Sequence, residues 1–362
     1  MHVLKLLIYI YNINMKKFFL IIFLLIITVV IPIVVIKFQN DLIANIKHFL
    51  HVKPSQYIGA TVDMSQILPE SEYYIKNNKG EDLIDIASKL GMTSLRITNI
   101  SSISSNSPTT SYSEKQWHEV LNKMQRKGIY ALILIEANGS DSNFHNNINL
   151  DNYYLNFVKN YVASKQCNYP NVFAVDISNE PLLNKDNLTK LREAATIVKS
   201  ACPNAKITIG SWRTDSGERD SSDQPIYNWH DPKETRQIND IVDIQSVHIY
   251  GFDKPKDGPY PDPYRLTTGY LNEIRKYTNK PILIEEFGAG NGSGLTDQDT
   301  VGSEGLQKNV YQEVIKATKD YKKKNAIGAI AYLLLPRSDG IDSWSIATDK
   351  GNIFLPAAYT FK

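Results

Sequence analysis

Cysteine is scarce in this chain of 362 residues: it holds two, Cys167 and Cys202. That number excludes a disulfide-dense scaffold, and their spacing matches no zinc motif. Charge of one sign is also lacking. The formal net charge is +2, which gives no sign of a nucleic-acid partner. No internal repeat or low-complexity tract is present. The first apolar run after the tether opens into VDMSQILPES, which lacks the G-x-G-x-x-G turn of a dinucleotide-binding open sheet. Hydrophobic residues make up 42% and charged residues 22%, so the composition is that of an ordinary globular protein.

Long apolar stretches are rare too, with one exception. From Phe18 to Ile36 the sequence FFLIIFLLIITVVIPIVVI carries no charge, enough helix to cross a hydrocarbon core of about 30 Å. Lys16 and Lys17 precede it, which predicts a cytoplasmic N-terminal end and an extracytoplasmic remainder. Lys-Phe-Gln-Asn-Asp follows, with no small-x-small cleavage site, so an uncleaved anchor is expected over a cleaved signal peptide. Cleavage would instead make the protein secreted. The expected organisation is a cytoplasmic tail over 1–17 (Met15 resembles a natural start), a transmembrane helix over 18–36, a tether over 37–55 and one catalytic domain over 56–362. The domain is expected to be a monomer.

Beyond Pro54 a regular alternation begins. Apolar, β-branched runs at Tyr57–Val62, Ser94–Thr98, Tyr130–Ile135, Val172–Ile177, Lys206–Ile209, Ile244–Ile249, Ile282–Ile284 and Ile327–Leu334 predict strands buried on both faces. Helix-like stretches lie between them, among them Glu81–Leu90, Ser113–Lys127, Asn152–Ser164, Leu188–Ser200 and Glu304–Lys323. Gly91 and Gly128 fall just past two of these, and Ser113 and Asp151 suit N-caps. Eight such units predict an α/β fold, a single (β/α)8 TIM barrel. GFDKPKDGPYPDPYR, after the sixth strand, is expected to be a surface loop at the active-site end. Cys167 and Cys202 each precede a predicted strand; a disulfide and two buried free thiols are both open readings.

In such barrels the chemistry sits at the C-terminal ends of the strands. The polar residues there are Arg96 and Asn99 on the second, Glu136 and Asn138 on the third, and Asn179 and Glu180 on the fourth. Trp212 ends the fifth, His248 and Tyr250 the sixth, Glu285 and Glu286 the seventh, and Tyr332 and Arg337 the eighth. In FAVDISNEPLL, Asn179-Glu180-Pro181 also fits ordinary turn chemistry. Yet carboxylates from strands 4 and 7 converge on one mouth. Glycosidic bond cleavage needs such a pair, one protonated to release the leaving oxygen and one ionised to meet the anomeric carbon. A metal-dependent hydrolase would want clustered His and Asp, and among the strand ends only His248 is placed for it. No metal and no cofactor is therefore expected.

Asn179-Glu180-Pro181, His248-Ile249-Tyr250, Glu286-Phe287-Gly288 and Arg96, in that order on those strands, resemble the (β/α)8 retaining glycoside hydrolases, most closely glycoside hydrolase family 5, the cellulases and mannanases. DSWSIATDKGNIFLP resembles that family's closing segment, and the resemblance spans residues 57–358. It implies that Glu180 is the acid/base and Glu286 the nucleophile, with Glu285 alternating to the other side of its strand. It implies that Asn179 meets the sugar 2-hydroxyl, that Arg96 and Tyr250 hold Glu286 ionised, and that His248 contacts the sugar or Glu180. Two departures stand out: EANGSDS lacks the histidine frequent near the third strand end, and Tyr332 takes the place of a tryptophan platform. Trp212, Trp229 and Trp344 are candidate stacking rings, with core packing as the alternative for each. The expected partner is an oligo- or polysaccharide. A non-catalytic carbohydrate-binding barrel is the rival reading, and loss of either glutamate would have signalled it.

Overall fold

The computed structural model describes residues 53–98, 101–104, 107–135, 150–163, 165–219, 225–229, 231–252, 261–289, 304–335, 345–348 and 351–362. Eight parallel strands form its centre: β1 (Tyr57–Asp63), β2 (Ser94–Thr98), β5 (Tyr130–Leu134), β6 (Val172–Asn179), β7 (Ile207–Gly210), β10 (Gln245–Ile249), β11 (Ile282–Phe287) and β12 (Ala326–Ala331). Their order in the sheet is β10-β11-β12-β1-β2-β5-β6-β7. Asp243 N and Ile244 N both donate to Ile207 O, at 2.8 and 3.1 Å, which joins the two edges and closes a barrel. All eight coincide with the apolar runs of the sequence, because strands covered by helices outside and side chains inside must be apolar nearly throughout.

After the short α1 (Met64–Ile67) and α2 (Leu83–Lys89), the covering helices begin and end where local chemistry directs. The helix α3 (Glu114–Arg126) starts at Ser113, whose hydroxyl accepts from Gln116 N while the Gln116 side chain returns to the Ser113 backbone. Asp151 Oδ1 accepts from Tyr154 N at 3.1 Å, at the start of α4 (Asn152–Ala163). Gly91 and Gly128 adopt φ of 83° and 69° past their helices, as the sequence predicts. The helices α5 (Lys185–Ala201), α7 (Pro263–Arg275) and α8 (Glu304–Asp320) complete the long ones among the described residues, with the single-turn α6 (Thr235–Ile238) between the first two. The helix α7 begins inside the segment expected to be loop, because Asp262 caps it by accepting from Arg265 N and Pro263 occupies its first position.

Apolar side chains sort into two bodies. A large one fills the space between sheet and helices. A small one, including Tyr130, Leu132, Phe173, Ile244, Leu283 and Ile330, plugs the barrel interior. Tyr57 and Phe173 stack within it at 3.8 Å between ring centroids. The barrel is therefore packed at one end, and its polar interior lies at the other. Two antiparallel hairpins not foreseen in the sequence follow β2 and β7: β3 (Ser101–Ser104) with β4 (Ser107–Ser111), and β8 (Arg213–Arg219) with β9 (Pro225–Trp229). Their polar composition, as in SSIS and SPTTS, hides them from any hydrophobic period.

Cys167 and Cys202 form a disulfide, with Cα atoms 5.8 Å apart, which decides between the two readings left open. No helix among the described residues is long and apolar enough to cross a membrane. The Phe18–Ile36 run lies outside the described residues.

Candidate active site

Four strands bring their polar ends to one point. Arg96, on β2, is fully buried and reaches two other strands at once, β6 and β11. Its Nε donates to Glu285 Oε1 at 2.8 Å, its Nη1 to Glu286 Oε1, and its Nη2 to Asp176 Oδ2 at 3.0 Å and Asn179 Oδ1 at 2.8 Å. Burial opposes its charge, but Glu286, Glu285 and Asp176 more than offset that and hold the guanidinium firmly protonated.

Glu285 and Glu286 both face this cation, which corrects the expectation that they point to opposite sides of the strand. The register of β11 shifts against both neighbours. Val247 pairs with Ile284 but His248 with Glu286, and toward β12 the register breaks between Ile284 and Phe287. A bulge of this kind adds one residue, so the two-residue period of side-chain direction fails there. The environments still distinguish the two acids. Glu285 is sealed below the site, with Ser246 Oγ donating to its Oε2. Glu286 lies toward the opening, where Tyr250 donates its hydroxyl to Oε2 at 2.8 Å. Burial first, and then the Glu286 charge, push the Tyr250 phenol well above its ordinary range, so it remains a donor.

Glu180 comes from the end of β6. Its backbone is left-handed, with φ of 47°, an uncommon state for a side-chain-bearing residue. Three hydrogen bonds fix that turn: Glu180 N to Gly210 O at 2.8 Å, Arg213 Nε to Glu180 O at 2.8 Å, and Arg213 N to Pro181 O at 2.9 Å. The side chain then turns to His248, whose Nδ1 is 2.7 Å from Glu180 Oε1 and 3.5 Å from Glu286 Oε2. Burial resists protonation of His248, but Glu286 and Glu180 prevail and raise its pKa. One ligand-capable atom each of Glu180, His248 and Glu286 lies within 4.8 Å of the others. These are the atoms that could meet a cation at the site.

Arg96, Asn179, Glu180, His248, Tyr250 and Glu286 thus converge as the sequence implied. Tyr332 follows β12, half-buried and close enough to raise the Tyr250 pKa by its own charge; the Tyr332–Leu333 peptide is cis. Trp212 is a correction. It is fully buried, and its indole N–H donates to Asp231 O at 3.2 Å, so it presents no face to a sugar. Ser211 before it, just past the end of β7, is left-handed, with φ of 60°. Asn138, with Asn99, Glu136, Arg337 and Trp344, lies outside the described residues; of Trp229 only the backbone, paired with Arg213, is described.

Sequence reasoning missed Asp176, Ser246, Gly210 and Arg213. Asp176 carried a signal: it is the one acid inside the apolar run FAVDIS. Gly210 carried none. Its N–H donates to Asp176 Oδ1 at 2.8 Å, and a Cβ there would lie 2.7 Å from Asp176 Oδ2, 2.9 Å from Asn179 Oδ1 and 3.2 Å from Arg96 Nη2. Only glycine leaves room for that junction.

Known proteins share this framework. A glycoside hydrolase family 5 mannosidase from Rhizomucor miehei aligns with a TM-score of 0.58 at 14% identity, over 85% of this chain and 92% of its own. An endo-1,4-β-D-mannanase from Thermotoga petrophila aligns with a TM-score of 0.52 at 13% identity, over 84% and 98%. A β-glucuronidase from an uncultured Clostridium gives 0.53 at 16% identity over 85% of this chain, which spans only 50% of that enzyme's length. At such identities these likenesses establish the fold alone. No curated protein matches the chain. Residues 57–334, however, match the family described as Cellulase (glycosyl hydrolase family 5). Strand ends, buried arginine and paired glutamates agree with that match: the chain is a glycoside hydrolase and belongs to glycosyl hydrolase family 5.

Proposed function

We propose that the protein hydrolyses β-glycosidic bonds of an oligo- or polysaccharide by double displacement, with retention of the anomeric configuration. The observation that carries this reading is the approach of Glu180 and Glu286, which offer carboxylate oxygens within 4.8 Å of each other. Retaining enzymes place the two carboxyls about 5–5.5 Å apart, and inverting ones about 6.5–9.5 Å apart to admit a water. Glu286, held ionised by Arg96 and Tyr250, attacks the anomeric carbon and forms a covalent glycosyl ester. Glu180 protonates the leaving oxygen and then, as a base, takes a proton from the incoming water. His248 orients Glu180 through its Nδ1. Asn179, its carbonyl end fixed by Arg96, meets the sugar 2-hydroxyl, and Tyr332 supplies a ring for stacking.

Azide tests the assignment. With an activated aryl β-glycoside, Glu180→Ala plus azide is expected to yield the β-glycosyl azide, because Glu286 still forms the intermediate. Glu286→Ala plus azide is expected to yield the α-azide by direct attack. The two products exchanged would reverse the roles, and near-normal activity of Glu286→Ala would place the nucleophile elsewhere. A panel of aryl glycosides and β-linked glucans and mannans identifies the sugar.

The reaction takes place outside the cytoplasmic membrane in this reading, with Phe18–Ile36 as anchor. The Cys167–Cys202 disulfide supports it, since such bonds persist in oxidising compartments. Alkaline carbonate extraction of membranes checks the anchor: full-length protein in the wash, or a mature chain starting near residue 38, would contradict it.

A further inference from the structure

Glu180 stands on a kink that two chain segments share. After Asn179 pairs with Gly210, the segments that follow β6 and β7 keep running side by side. They pair again at the parallel bridge between Leu182 and Arg213. Between those two points each segment carries one left-handed residue, Glu180 with φ of 47° and Ser211 with φ of 60°. A Cβ disfavours the left-handed backbone, so such residues persist only where their surroundings hold them.

Arg213 makes three of the bonds that hold this kink. Its N donates to Pro181 O at 2.9 Å, and its O accepts from Leu183 N at 2.8 Å. Those two join backbone to backbone and are indifferent to the side chain. The side chain, almost wholly buried, adds the third: Nε donates to Glu180 O at 2.8 Å. That carbonyl belongs to the left-handed residue itself, so the bond fixes the peptide plane that follows the Glu180 Cα. The same torsions set the Cβ direction of Glu180, and with it the path of the carboxyl to His248 Nδ1 at 2.7 Å.

We propose that Arg213 is a positioning residue for general acid catalysis: its Nε–H holds Glu180 in the left-handed turn that aims the carboxyl at the leaving oxygen. The inference rests on the reading of Glu180 as the acid/base. Arg96 acts on the other glutamate through its carboxylate, whereas Arg213 acts on Glu180 through one main-chain oxygen. The position of the donor, rather than the charge, is then what matters. A general acid helps most when the leaving group is poor and least when it departs as a stable anion. A displaced Glu180 therefore slows poor leaving groups selectively, whereas a loosened barrel slows all of them.

The dinitrophenyl and phenyl β-glycosides of the sugar that the wild type cleaves make this comparison, with kcat/KM read for each. Arg213→Met keeps the stem and puts carbon where Nε lies. Its loss on the phenyl glycoside should exceed its loss on the dinitrophenyl glycoside by about tenfold or more, since a misplaced catalytic group costs about 100-fold. Arg213→Gln removes the charge, but its amide nitrogen falls where Nε lay, so it should recover most of that difference. Should the methionine variant fail to fold, Arg213→Lys carries the same comparison, because it keeps the cation and also puts carbon at the Nε position. Equal losses on both glycosides in a folded variant, or a glutamine variant as biased as the methionine one, would overturn the proposal. Glu180→Ala is measured alongside. Bias there without bias in Arg213→Met or Arg213→Lys overturns the proposal alone; bias in none of them overturns the acid/base reading as well.

Discussion

His248 Nδ1 lies 2.7 Å from Glu180 Oε1, and the ring is almost wholly buried. A buried imidazole beside carboxylates has two preferences in conflict. Burial favours the neutral ring; Glu286 and Glu180 favour the charged one, and they win. The histidine therefore couples the stability of the fold to pH.

The folded protein binds the His248 proton more tightly than the unfolded chain, whose histidine titrates near 6.5. Its stabilising contribution is thus complete below about pH 6.5 and is lost as pH rises through the higher folded value. Thermal unfolding from pH 5 to about 9 should show Tm falling across that window, and His248→Asn should lose this component. A Tm difference between the two proteins that stays constant with pH would contradict the coupling.

Gly210→Ala places a methyl group among Asp176, Asn179 and Arg96, at 2.7 to 3.2 Å from their polar atoms. All three are members of one buried network and cannot move independently. The substitution should lower kcat/KM by at least about tenfold and Tm by several degrees, since over-packing costs about 1–3 kcal/mol. Steady-state kinetics with calorimetry check both; unchanged values in each would show that the junction has slack.

Trp212 and Tyr332 should separate cleanly. Trp212→Ala removes a fully buried ring and should cost about 3–5 kcal/mol of stability. Tyr332→Ala removes a half-buried ring while its backbone stays held by Phe287 O and the Tyr311 hydroxyl. It should leave Tm nearly unchanged and raise KM by about two- to tenfold, since a stacked ring contributes about 0.5–1.5 kcal/mol. Unchanged kinetics for Tyr332→Ala would remove that ring from the site.

The Cys167–Cys202 bond closes a stretch with a sequence separation of 35. On chain-entropy grounds a loop of that length stabilises by about 3–4 kcal/mol. Paired replacement by serine should lower Tm measurably while leaving kcat intact, because both cysteines lie away from the strand ends that carry the glutamates. Urea unfolding with and without reductant gives the same comparison for the unaltered chain.

The sequence by itself determined the barrel. Period and length of apolar runs follow from which faces must be buried, so the eight strands, the caps at Ser113 and Asp151 and the glycines at 91 and 128 were local facts. That Glu180, Glu286, Arg96, His248 and Tyr250 meet was legible for a related reason: polar residues toward the C-terminal ends of parallel barrel strands share one mouth. What depends on several strands at once was not legible. The bulge in β11 turned both Glu285 and Glu286 toward Arg96 and broke the alternation that had separated them. Trp212 is buried just past the left-handed Ser211, a backbone turn with no local signal in the sequence. The polar hairpins carried no apolar period. Asp176 became part of the site only because β2 and β11 bring Arg96 and Glu285 against it, and Gly210 because β7 leaves the space they need. Charge balance and close packing are properties of neighbours in space, and the tertiary structure alone decides who those neighbours are.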